Sequence, residues 1–196
     1  MNTLKRALVM AVTAFTMTSI NAQDTNQTFH QHGVVDFSLK TQRSQLYISI
    51  KAPGENVVGY EGNPTTIKQI QALSDALNKF RQSQTLFKLP DAAQCSLKNQ
   101  RLVNATPSDQ EEVSHQTYSR VSKENKSQDK EHSEFIITYT YNCEALRRLD
   151  KIMVTWFDIF PDTEKIKVRA FNRQVFKLEK SLDSSGEVML PHLFIK

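Results

Sequence analysis

The chain has 196 residues, 39% hydrophobic and 23% charged, with a formal net charge of +4. That is enough for one domain with a real core, and no apolar run is long enough to span a bilayer as a helix. Without Lys5 and Arg6 the balance falls to about +2, and the remaining basic residues do not cluster with aromatics, which argues against nucleic acid as a partner.

The first residues have the layout of a secretory leader. Lys5 and Arg6 form the charged region, residues 7–17 the apolar region, and Ile20-Asn21-Ala22 a cleavage site before Gln23. The expected division is a signal peptide over 1–22 and a single α+β domain over 23–196. Export would place the mature chain in the periplasm of a Gram-negative source. No cysteine follows the cleavage site, so a lipid anchor is not expected.

The mature chain begins with a stretch rich in alternation, Phe29-His30-Gln31-His32-Gly33-Val34-Val35-Asp36-Phe37-Ser38-Leu39. As a strand it places Phe29, Val35, Phe37 and Leu39 on one face, and His30, His32, Val34 and Asp36 on the other. Residues two apart on a strand stand side by side, so both imidazoles can reach one point, where a zinc ion would suit them. Residues 46–51 alternate again, with Leu46, Ile48 and Ile50 inward, and predict a hairpin with the first strand. Residues 57–61 read as an apolar link. Asn63 and Pro64 then look like the cap and first turn of a helix of about 18 residues. Its buried stripe would be Ile67, Ile70, Leu73, Leu77 and Phe80.

Residues 96–105 predict a strand anchored by Leu97 and Val103, and residues 135–142 the strongest strand in the chain. Between them, residues 106–131 are polar and nearly free of large apolar side chains, which predicts a flexible loop. Cys95 and Cys143 flank the two arms, and in an oxidising compartment they predict a disulfide closing the open end of a hairpin. Residues 145–149 suggest one or two helical turns. Residues 151–158 read as a strand ending near Trp156 and Phe157, and 166–171, 175–178 and 188–195 as further strands. The sum is one long helix, one short helix and six to eight strands, an α+β fold with a mainly antiparallel sheet.

In order along the chain stand His-x-His-Gly from His30, Ala-Pro ahead of Gly59-Tyr60-Glu61, and Pro64. Phe87 to Cys95, His132 to Cys143, and Phe157 to Pro161 follow. This arrangement resembles the ZrgA-type family of bacterial periplasmic proteins, over nearly the whole mature chain. The resemblance implies a zinc-regulated, zinc-binding protein that helps zinc uptake. It matches His30 and His32 to the opening histidines, His132 to the histidine before the second cysteine's strand, and Glu61 to the acid of a Gly-Phe-Glu-His motif. Here Tyr60 stands for the aromatic and Gly62 for the histidine. The histidine-rich insert of many relatives is reduced to His115, so fewer or weaker zinc ions are expected.

The expected ligand set is therefore His30, His32, His132 and Glu61, with Asp36, water or a partner's side chain as other occupants of the fourth position. His115 reads as a surface residue and His192 as a packing one. Imidazole sites also suit copper and nickel. No His-Glu-x-x-His helix, Gly-x-Ser-x-Gly elbow or phosphate-cradling glycine loop is present, so no enzymatic activity is expected. The expected function is zinc acquisition or buffering, with a periplasmic or inner-membrane uptake component as partner. The alternative is a metal-independent envelope interaction module.

Overall fold

The computed structural model describes residues 31–105 and 132–190. The leader, His30, the polar segment 106–131 with His115, and His192 lie outside the described residues.

The two alternating stretches form a hairpin, β1 (Val34–Gln42) and β2 (Gln45–Pro53). Val35, Phe37 and Leu39 on one strand and Leu46, Ile48 and Ile50 on the other are fully buried. Three helices follow: α1 (Gly54–Val58), α2 (Ile67–Arg81) and α3 (Ser83–Leu86). The two-residue β3 (Phe87–Lys88) leads through a short 3₁₀ turn to β4 (Cys95–Ala105), which pairs antiparallel with β5 (Glu134–Cys143). A second 3₁₀ turn precedes β6 (Lys151–Val154), α4 (Trp156–Ile159), β7 (Lys165–Asn172), β8 (Val175–Leu182) and β9 (Gly186–Met189).

The fold is α+β, as the sequence predicts. A six-stranded sheet has the order β4-β5-β2-β1-β7-β8, and a three-stranded sheet the order β3-β6-β9. Every pairing is antiparallel except that of β1 with β7. Phe80 of α2 packs on Phe135 and Phe160, with ring centroids 5.7 and 5.4 Å away. Trp156 joins this cluster, 4.5 Å from Phe160 and 5.7 Å from Phe37. Its Nε1–H donates to Thr163 Oγ1 at 2.9 Å, and the Tyr139 hydroxyl donates to the Phe80 carbonyl at 2.6 Å. The polar tips of the core aromatics are thereby satisfied. Burial, with Tyr141 adding to it, pushes the Tyr139 hydroxyl well above its usual pKa, so it remains a donor.

Several boundaries differ from the sequence reading. The first strand starts at Val34, and His32 and Gly33 form a turn ahead of it. The link at 57–61 is preceded and partly replaced by α1, which Gly59 ends in a left-handed conformation. Helix α2 has 15 residues and is capped by Thr66, not Asn63, in a reciprocal capping box with Gln69. Its first turn leaves the core: Ile67 is 87% and Ile70 57% exposed, so the buried stripe begins only at Leu73. Leu97 and Val103 are likewise exposed; a bulge between Leu97 and Asn99 shifts the register, so that Val103 lies opposite the half-buried Ile136 and Leu102, opposite the buried Ile137, takes the core-facing place. The strand expected over 151–158 stops at Val154, and Trp156 starts α4 instead.

Strand direction sets what meets where. In the run β5-β2-β1, antiparallel pairing brings the start of β1, the end of β2 and the start of β5 to one end of the sheet; Pro53 lies opposite Glu134. The disulfide Cys95–Cys143 lies at the other end of β5, a strand of 10 residues and so about 30 Å long. At the near end the chain backs closely onto itself. The Gly54 N–H donates to the Ser133 carbonyl at 2.7 Å, and a Cβ on Gly54 would collide with Ser133 Oγ.

Two outcomes follow from this packing. The disulfide encloses a loop with a sequence separation of 48. Replacing both cysteines by Ser should cost about 4 kcal/mol in urea unfolding on the chain-entropy account; an unchanged midpoint would contradict the link. Gly54→Ala should cost about 1–3 kcal/mol by overpacking. Adding Ser133→Ala removes the clashing hydroxyl and should recover part of that loss. Simple addition of the two costs would show that the two residues do not collide.

Candidate metal centre

His32, Glu61 and His132 come from three parts of the chain and converge at this end of the sheet. One potential ligand atom from each lies within 4.8 Å of the others. The two imidazoles meet edge to face, with ring centroids 5.3 Å apart. Ligand atoms of a tetrahedral zinc stand about 3.3 Å apart, so closing on an ion requires side-chain adjustments of roughly 1 Å.

Each side chain has its own support. His32 sits on a turn held by Gly33, whose φ of 79° is a left-handed conformation that favours glycine. The Gly33 carbonyl accepts from the N–H groups of Glu164 and Lys165 at 2.8 and 2.9 Å, at the start of β7. The Gly33 N–H donates to Asn56 Oδ1 at 3.1 Å, and Asn56 Nδ2 donates to the Asp162 carbonyl at 2.7 Å. Glu61 is the most enclosed of the three, its side chain 16% exposed. Its Oε2 accepts from the backbone N–H and the hydroxyl of Ser133 at 2.7 and 3.2 Å. This leaves Oε1 turned to His32 Nδ1, 3.8 Å away. His132 is the residue before Ser133, so the bonds that orient Glu61 also hold the backbone beside His132.

These groups border an open cavity of about 680 Å³, with Tyr60, Gly62, Asn63 and Thr65 on its wall. Tyr60 donates its hydroxyl to the Gln69 carbonyl at 3.2 Å, tying the loop to α2, and burial raises its pKa. Gly62 occupies the wall with φ 75°, where the resembled motif has a histidine.

The structure thus brings together three of the four residues expected as ligands, His32, Glu61 and His132; the fourth, His30, lies outside the described residues. The grouping is not the one drawn from strand alternation. His32 meets His132 across the sheet end from a turn ahead of β1, not from a strand. Asp36 is elsewhere engaged, accepting from Arg169 Nη2 at 3.1 Å. Sequence reasoning missed Ser133, Asn56 and Glu55, whose Oε2 lies 2.9 Å from His32 Nδ1. Nothing in their local spacing marks them, since each acts through a contact distant in sequence.

Two imidazoles and one oriented carboxylate are a donor set suited to a divalent transition metal. Among curated proteins none matches the chain significantly. The family model of ZrgA family zinc uptake proteins matches residues 29–185, which include the turn with His32, the loop with Glu61 and the strand entry with His132. The chain therefore belongs to the ZrgA family of zinc uptake proteins.

Proposed function

We propose that this protein is a periplasmic zinc-binding accessory protein, which captures or buffers zinc at the cavity between His32, Glu61 and His132 for an uptake component of the envelope. The observation carrying this reading is the convergence of these three side chains to within 4.8 Å from remote parts of a chain in a zinc uptake family. The leader over residues 1–22 and the Cys95–Cys143 disulfide support an oxidising compartment outside the cytoplasm.

The form of the site suits a cargo ion. His32 has 52% of its side chain exposed, and the cavity is open to solvent. A structural zinc is closed off from solvent, whereas an exchangeable ion needs a route in and out. Glu61 is held by Ser133, and a carboxylate oriented in this way lowers the ordering cost of binding. Copper and nickel also accept imidazole, and the family points to zinc among them.

Calorimetric titration of the metal-stripped mature protein should show stoichiometric zinc uptake at micromolar or tighter affinity. Replacing His32 and His132 together by Ala should weaken it by about 100-fold or more. Protons compete with zinc for neutral imidazole, so affinity should fall as pH drops from about 7 to about 5. Wild-type affinity in the double variant would contradict this site. Absence of uptake by the wild type would favour the metal-independent interaction module.

A further inference from the structure

Glu55 lies outside the ligand set expected from the sequence, yet among the described residues it is the acid nearest His32. Its Oε2 is 2.9 Å from His32 Nδ1, against 3.8 Å for Glu61 Oε1. The backbone N–H of Glu55 donates to that same Glu61 Oε1 at 3.3 Å. Two carboxylates from one short segment therefore face a single imidazole nitrogen. Glu55 borders both cavities that meet at His32, and the second, of about 380 Å³, adds Asp162 and Glu164 to its wall. Among the described residues no lysine or arginine lines either one. Close carboxylates without a cation repel each other, and a divalent ion is the partner that would relieve this.

From this geometry we infer that Glu55 is the fourth ligand of the zinc ion, completing a two-histidine, two-carboxylate set with His32 Nδ1, Glu61 Oε1 and His132. This rests on the zinc reading above. The two carboxylates balance the charge of the ion, and the fourth position is filled by this chain instead of by water or by His30.

The competing role for Glu55 is to accept a hydrogen bond from Nδ1–H and so turn Nε2 toward the ion. Glu55→Gln separates the two, since an amide oxygen still accepts that bond but is a poor zinc ligand. Zinc titration should show Glu55→Gln weakened by roughly 100-fold or more, beyond what loss of an outer hydrogen-bond partner gives. Glu55→Ala should be no worse, and His30→Ala close to wild type. The cobalt(II)-loaded wild type should show the strong visible bands of a four-coordinate site, and Glu55→Gln should lose them. Near-wild-type affinity and spectrum in Glu55→Gln would overturn the assignment. So would a loss in His30→Ala as large as that expected for Glu55→Gln. If the wild type itself takes up no zinc, the underlying zinc reading fails together with this one.

Discussion

The antiparallel run β5-β2-β1 is the constraint from which the other features follow. Its inward side chains form much of the core, with Phe37, Ile48, Ile50, Ile137 and Tyr139 fully buried. A one-residue slip in any of these pairings would turn a whole apolar row to solvent, so the register is strongly specified. With the register set, the ends of the strands have no freedom to choose their neighbours. The start of β1, the exit of β2 and the entry of β5 share one end of the sheet, and the disulfide takes the opposite end.

The end proposed to hold the ion is ordered by polar contacts laid on that frame. Ser133 is the central one: its carbonyl accepts from Gly54, while its N–H and hydroxyl hold Glu61. Gly54 is needed there because a side chain would occupy the space of the serine hydroxyl. On the other side, Asn56 spans from the Gly33 N–H to the Asp162 carbonyl and pins the His32 turn between α1 and the approach to β7. Helix α1 is short, but its position between β1 and β5 lets it supply Glu55, Asn56 and the anchor at Gly54 within three consecutive residues.

Much of the sheet was legible in the sequence because alternation is a local property. Val35, Phe37 and Leu39, then Leu46, Ile48 and Ile50, are read from period two alone, and they are buried. The cysteine pair was legible for a similar reason, since two strong strands flank a polar segment. Ile67 and Ile70 misled because helical spacing reveals a stripe without showing how far along the helix the core extends. Trp156 misled because an aromatic after a strand fits either a longer strand or a new turn of helix. His32 was marked with His30 by their spacing of two, whereas Glu61 and His132 were legible only through resemblance. The site's supporting contacts, Ser133 to Glu61 and Glu55 to His32, depend on strand ends meeting in space and leave no mark on local spacing.

The central claim is that zinc binds at this one end of the sheet, and locating the ion tests it most directly. Crystals of the mature protein grown with zinc, measured on both sides of the zinc absorption edge, should show one dominant anomalous peak. It should lie within bonding distance, about 2.0–2.2 Å, of His32, Glu61 and His132. A zinc-loaded crystal with no peak in that cavity, or with its dominant peak on residues elsewhere in the chain, would contradict the account.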